Sequence, residues 1–223
     1  MGWLVILFLV VGVLWLLLVV LRTAESVIFR VGPDSRPAKE PVVFPPVTVT
    51  NSRLAKERAV FLDTETTGIR GRQEVLEIAI IDTEGKILVN SLVRPSYRKR
   101  WPDAQAIHGI SPAHVVDAPT LDILMPSIIT AVKGKNVVIY NARFDLKFLP
   151  EVKENADVVH CCMLRYARFK GDWNEYYNDY RWHKLTVAAR HIGYRFEGDA
   201  HRALADCQAT RAVWQHMELE TVF

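Results

Sequence analysis

Residues Met1 to Leu21 carry no charged side chain, and this run constrains the chain before anything else does. Nearly every position is Leu, Val, Ile, Phe or Trp, and Arg22 ends it. As a helix, Trp3 to Leu21 would span roughly 28 Å, close to the ~30 Å hydrocarbon core of a bilayer. A cleaved signal peptide is the alternative, but it expects basic residues ahead of a shorter apolar core. No basic side chain precedes the run, and Ala24-Glu25-Ser26 is a weak cleavage site. The expectation is one transmembrane helix over residues 1–22. Arg22, Arg30, Arg36 and Lys39 follow it. The positive-inside rule then puts the C-terminal side in the cytoplasm, making this a single-pass membrane protein.

Pro33, Pro37, Pro41, Pro45 and Pro46 fall within the next segment, residues 23–50. So dense a run of prolines cannot be a helix interior and favours extended backbone, and the 14 residues from Pro33 to Pro46 read as a semi-rigid spacer of about 40 Å. Residues 51–223 are then expected to form the globular domain. Overall, 50% hydrophobic and 24% charged residues exclude a disordered chain or a coiled-coil rod. The mean hydropathy of +0.06 is high, and the apolar run explains it. A net charge of +3 is too small to identify a nucleic-acid binder by itself. The three cysteines, Cys161, Cys162 and Cys207, contain no C-x-x-C unit, which argues against a disulfide framework or a structural zinc site. They read as small buried hydrophobes.

Within the domain, short apolar runs predict strands at Ala59–Asp63, Val75–Asp82, Lys86–Val93, Asn136–Tyr140 and Val158–His160. Helical spacing covers Pro119–Lys133, and Asn141 stands where it could cap a helix holding Phe144 and Phe148. Two further helices are expected near His183–His191 and Arg202–Met217. Three strands followed by alternating strands and helices predict an α/β fold, a mixed sheet with helices on both faces.

The chemistry concentrates in acids. Asp63 and Glu65 stand two apart in Phe61-Leu62-Asp63-Thr64-Glu65-Thr66-Thr67-Gly68, so a strand sends both carboxylates to one face. Asn141 and Asp145, four apart, share a face of the helix that opens after a strand. Asp206 falls on the buried stripe of Ala203, Cys207, Thr210, Val213, Trp214 and Met217, where a charge is costly unless paired or bound to a metal. His201 is about 140° from Asp206 on a continuous helix, which places it instead on the loop entering that helix. Converging carboxylates are tolerable when divalent cations lie between them, and all-oxygen ligands select Mg²⁺ or Mn²⁺ over Zn²⁺. Two such ions clamp the attacking and leaving oxygens of a phosphodiester, and a histidine near pH 7 can take the proton of the water.

The ordered motifs D-x-E-T-T-G, N-x-x-F-D and H-x-A-x-x-D resemble those of the DEDDh family of 3′–5′ exonucleases, which includes the DnaQ-like proofreading ε subunits. Ile107-His108-Gly109-Ile110-Ser111 is similar to the segment this family carries between its first two motifs. The resemblance runs from about Ala59 to Met217 and implies a ribonuclease H-like mixed five-stranded sheet. It implies that Asp63, Glu65, Asp145 and Asp206 hold two Mg²⁺ or Mn²⁺ ions and that His201 is the general base. It implies that Thr66, His108, Asn141 and Phe144 contact the 3′ end of the substrate. The expected activity releases nucleoside 5′-monophosphates from the free 3′ end of DNA, with single-stranded ends preferred. An exoribonuclease of short RNA and a catalytically silent tethered binding module are the alternatives. Several relatives in this family are dimers, so a homodimer is an open expectation. The chain ends soon after the last motif, where the ε subunit carries a polymerase-binding tail, and a replicative role is not expected.

Two features remain. Arg94, Arg98, Lys99 and Arg100, with Tyr97 and Trp101, suit either a nucleic-acid backbone with stacked bases or a solvated loop. Trp173–Trp182 holds five aromatic residues. It is expected to pack its rings on the core, the alternative being a stacking platform or lid beside the site.

Overall fold

A computed structural model describes residues 59–196 and 200–220. The expected anchor and proline-rich spacer lie outside these residues. Among the described residues no helix is long and apolar enough to cross a membrane.

Five strands form one sheet in the order β3-β2-β1-β4-β5. They are β1 (Ala59–Thr66), β2 (Val75–Asp82), β3 (Ile87–Leu92), β4 (Asn136–Ile139) and β5 (Val158–Cys161). The first three form an antiparallel meander, and β4 and β5 run parallel to β1. The helices are α1 (Pro102–His108), α2 (Leu121–Val132), α3 (Ala142–Asp145), α4 (Pro150–Asn155), α5 (Cys162–Lys170), α6 (Leu185–His191) and α7 (Ala203–Glu220). The mixed five-stranded sheet with helices is thus the ribonuclease H-like arrangement expected.

Strand alternation sorts the core into two layers. Phe61, Ala79, Ile81 and Val138 pack with α5, α6 and α7 on one face. Val60, Leu62, Ile78, Ile80, Val137 and Ile139 pack with α2 on the other. Both faces are covered, which is why β2 reads as an almost unbroken apolar run.

Helix α7 packs on β1 and β2 and is tied down at three points, the last of them Thr83 just beyond β2. At its start, Arg202 and the Ala203 N–H donate to Glu77. In its middle, the single S–H of Cys207 is shared between the Ala79 carbonyl at 3.3 Å and the Phe61 carbonyl at 3.5 Å. Further on, Arg211 and Gln215 both donate to the Thr83 carbonyl, each at 3.0 Å.

The differences from expectation have local causes. β1 does not stop at Asp63 but continues to Thr66, because β2 still pairs with it there, with Asp63 opposite Ala79 and Glu65 opposite Glu77. The parallel partner β4 ends at Ile139, opposite Leu62. Asp63 and Glu65 therefore project where β1 has lost one neighbour and kept the other. The Asn141 segment makes only the four-residue α3, and Asn141 occupies its cap position without a side-chain cap hydrogen bond. Helices α1, α4 and α5 were not expected. α1 and α5 each carry a readable stop, a glycine (Gly109 and Gly171) in the left-handed conformation. The aromatic segment forms a small hairpin, β6 (Trp173–Asn174) with β7 (Asp179–Tyr180). Its rings meet one another rather than the core: Tyr176 and Tyr177 are 84% and 73% exposed and pack edge-on together.

Candidate active site

The period of two that carries Phe61 into the α7 layer carries Asp63 and Glu65 to the same side. Asp206 comes from the first turn of α7, beneath which that layer lies. Carboxylate oxygens of Asp63, Glu65 and Asp206 all lie within 4.8 Å of one another, near enough to share a cation. Asp145, on α3 just beyond the end of β4, is 3% exposed and outside this trio. Its Oδ1 accepts a 2.7 Å hydrogen bond from the Thr64 hydroxyl, and its charge acts directly on Asp63. The four acids predicted from sequence therefore converge, three in ligand range and the fourth held beside them.

The electrostatics have one sign. Burial, and then the charges of Asp145, Asp206, Glu65 and Glu77, raise Asp63 well above the usual carboxylate range. Burial, with Asp206, Glu77 and Asp145, pushes Glu65 up to about 9, opposed by Arg202. Burial pushes Asp145 up to about 7 against the hydrogen bond from Thr64. Asp206 is raised by burial, while the backbone and ring of His201 favour its charge. Such a set resists ionisation unless positive charge enters. The donors are all carboxylate oxygens, the set that suits a hard divalent cation.

His201 lies on the loop before α7, as its spacing requires. It is exposed, and its φ of +68° is a conformation uncommon for residues other than glycine. Its backbone N–H reaches Asp206 Oδ1 at 3.3 Å. Next along the chain, Arg202 grips Glu77 with both arms, Nε to Oε2 at 3.0 Å and Nη2 to Oε1 at 2.6 Å. Glu77 Oε2 also accepts the Ala203 N–H at 2.9 Å. Glu77 was missed in the sequence, yet a lone acid at an inward position of an apolar strand is a signal that a partner must exist.

The expected substrate residues are differently placed. His108 is 5% exposed and internally engaged. Its Nδ1 accepts the Ile110 N–H at 3.0 Å, so Nε2 carries the proton and donates to the Thr66 carbonyl at 3.2 Å. Burial lowers its pKa. Thr66 is buried and gives its hydroxyl to the Gly68 carbonyl. Asn141 is exposed. Phe144 is half-buried and packs edge-on against Phe148, with ring centres 5.4 Å apart. Trp101, paired in the sequence with the basic loop, is only 4% exposed and donates its indole N–H to the Ile110 carbonyl, so it is not available for stacking.

Acids gathered at the end of the central strand of a β3-β2-β1-β4-β5 sheet are the arrangement of ribonuclease H-like exonucleases. The exonuclease family RNase T matches residues 60–214, and the chain belongs to this DnaQ-like family. It is 35% identical to an uncharacterized exonuclease, CP81, of Escherichia phage 186, over 75% of this chain and 95% of the phage protein. It is 34% identical to exodeoxyribonuclease 10 of Escherichia coli K12, over 68% of this chain and 64% of that enzyme. The DNA polymerase III ε subunit of Rickettsia felis is 35% identical over 43% of this chain and 44% of its own length. Among solved structures, exonuclease X in complex with 5′ overhanging duplex DNA aligns with a TM-score of 0.59 at 27% identity, covering 74% of this chain and 93% of that one.

Proposed function

We propose that this chain is a divalent-metal-dependent 3′–5′ exodeoxyribonuclease that releases nucleoside 5′-monophosphates. The observation that carries the reading is the convergence of Asp63, Glu65 and Asp206 within 4.8 Å, with Asp145 beside them. DNA is favoured because a relative sharing 34% identity is named an exodeoxyribonuclease.

In this reading the four carboxylates hold two Mg²⁺ or Mn²⁺ ions, which supply Lewis acidity toward the phosphodiester. Asp63 and Glu65 are fixed by the strand, Asp206 by the helix, and Asp145 by the Thr64 hydroxyl, so the ligand set is largely built before substrate arrives. His201, exposed on its loop, takes a proton from the attacking water. Water adds at phosphorus, the bond to the 3′-oxygen of the next nucleotide breaks, and that oxygen leaves protonated. Asn141, at the cap position of α3, and Phe144, on α3 next to Asp145, would meet the terminal nucleotide. His108 would act on it only through the Thr66 backbone that it holds. The apolar run is proposed as a membrane anchor with the enzyme on the cytoplasmic side, on the sequence alone.

The test compares the full chain with Asp63→Ala on matched single-stranded DNA and RNA in Mg²⁺, Mn²⁺ and EDTA. Metal-dependent shortening from the 3′ end, lost in the variant, is expected, with DNA preferred. Turnover in EDTA, or equal turnover by the variant, would sink the reading. Faster loss of the RNA would reassign the substrate.

A further inference from the structure

The loop from Thr67 to Glu74 begins two residues beyond Glu65, and the loop from Arg94 to Trp101 lies against it. Together they expose Arg70, Arg72, Arg94, Arg98, Lys99 and Arg100. Glu74 is the one acid within the two segments, and both its oxygens are committed to backbone. Oε1 accepts the Ser96 N–H at 2.6 Å, Oε2 accepts the Arg98 N–H at 2.7 Å, and the Tyr97 N–H lies within 3.3 Å of both. Three successive N–H groups thus close on one carboxylate. The backbone of Glu74 is in turn paired with Thr67, by its carbonyl at 2.8 Å and by its N–H to the Thr67 hydroxyl at 2.9 Å. Arg98 adds a bond from Nε to the Arg72 carbonyl at 3.0 Å. The Arg72 guanidinium lies 3.8 Å over the Tyr97 ring, covering one face of it.

We propose that these loops form one preorganised cationic track for the sugar-phosphate backbone of the strand that leads to the scissile 3′ end. This deepens the nuclease reading and rests on it. The partner is identified by charge: six exposed cations, the local acid consumed internally, and no free pair of rings to read bases. Trp101 is buried, and Tyr97 has Arg72 on one side. Recognition by phosphate contacts is independent of sequence and steeply salt-dependent. Glu74 is the positioning residue of the track, although its own charge opposes the ligand.

That opposition makes the test sharp. Binding of a labelled single strand of about 20 nucleotides to the full chain is measured in EDTA by anisotropy, over a salt series, so that turnover plays no part. Replacing Arg98 and Arg100 by Ala together is expected to weaken binding about tenfold. It is expected to lower the salt slope by about 0.7 per lost phosphate contact. Lys153→Ala, the loss of one cation on the exposed side of α4 away from these loops, is expected to change neither. Glu74→Ala makes the surface more positive, yet is expected to weaken binding several-fold. Glu74→Gln, which keeps one acceptor oxygen, should fall between, and melting curves verify that each variant is folded. Tighter or unchanged binding by Glu74→Ala would overturn the positioning role. An unchanged salt slope in the double variant would overturn the track. Loss of binding to phosphatidylserine vesicles, with the oligonucleotide unaffected, would assign the cations to lipid and also overturn it. A chain that binds in EDTA but shows no nuclease activity would leave the track standing while removing the catalytic reading.

Discussion

Glu65, pushed up to about 9 from an ordinary 4.5, keeps its proton in the folded chain over a range where the unfolded chain has released it. The folded state then binds more protons, so stability falls as pH rises through that window. The metal-free protein should therefore melt at progressively lower temperature from about pH 5 to about pH 9. Glu65→Gln should flatten part of that slope, and an identical slope in the variant would refute the assignment. Mn²⁺ should raise the melting temperature, and more at pH 8 than at pH 5, because it binds the ionised carboxylates. His108 makes a second prediction at this scale. His108→Ala leaves the Thr66 carbonyl and the Ile110 N–H without their partner, which costs about 1–3 kcal/mol where such groups are buried. Denaturant melts measure this, and a neutral substitution would show that water reaches both groups. That Asp63 and Glu65 share a side was legible from the strand period, and the place of His201 on the loop before α7 from its spacing to Asp206, whereas the gathering of acids from β1, α3 and α7 followed from the resemblance of the ordered motifs. Glu77 was not, because its meaning depends on a partner 125 residues away, and no local pattern announces that distance.

Among the elements, α7 is where the Glu77–Arg202 pair makes an asymmetric prediction. The Glu77 side chain is 6% exposed and that of Arg202 is 44% exposed. Removing Arg202 leaves the buried Glu77 carboxylate without its guanidinium partner, and because Arg202 is itself 44% exposed the cost falls below the about 3–5 kcal/mol of breaking a fully buried pair. Glu77→Gln instead leaves a guanidinium that can reach water, and it relieves repulsion on Asp63 and Glu65, both of which Glu77 opposes. Arg202→Ala is expected to be the more destabilising of the two in equilibrium unfolding, and the reverse order would show that the pair is not stabilised as its burial implies. Strand boundaries were readable where an apolar run is self-contained, as in β2, whose bounds matched the run. They were not readable in β1, whose last three residues are polar and are strand only because β2 pairs with them. The hairpin of β6 and β7 was equally hidden, since two-residue strands carry no period to detect.

For the whole molecule, the order of strands and helices made the mixed sheet legible, because three strands before any crossover must form a meander and later strands need helices to return. What the apolar run does is a question of partition. The full chain is expected in the membrane fraction and resistant to high-salt extraction, and residues 50–223 in the supernatant. Equal partition of both would remove the anchor from the proposal. The fastening of α7 along β2 has one more consequence. Glu77 holds the start of the helix, the Ala79 carbonyl its middle, and the Thr83 carbonyl its later turns. Fraying of α7 from either end breaks bonds to the sheet side as well as its own. The amide protons of α7 and β2 should therefore exchange with deuterium together, at the slow rate of global opening, while those of the 94–101 loop exchange sooner. Asp206 travels on that slow unit, so the geometry of its carboxylate should persist for as long as the sheet itself does.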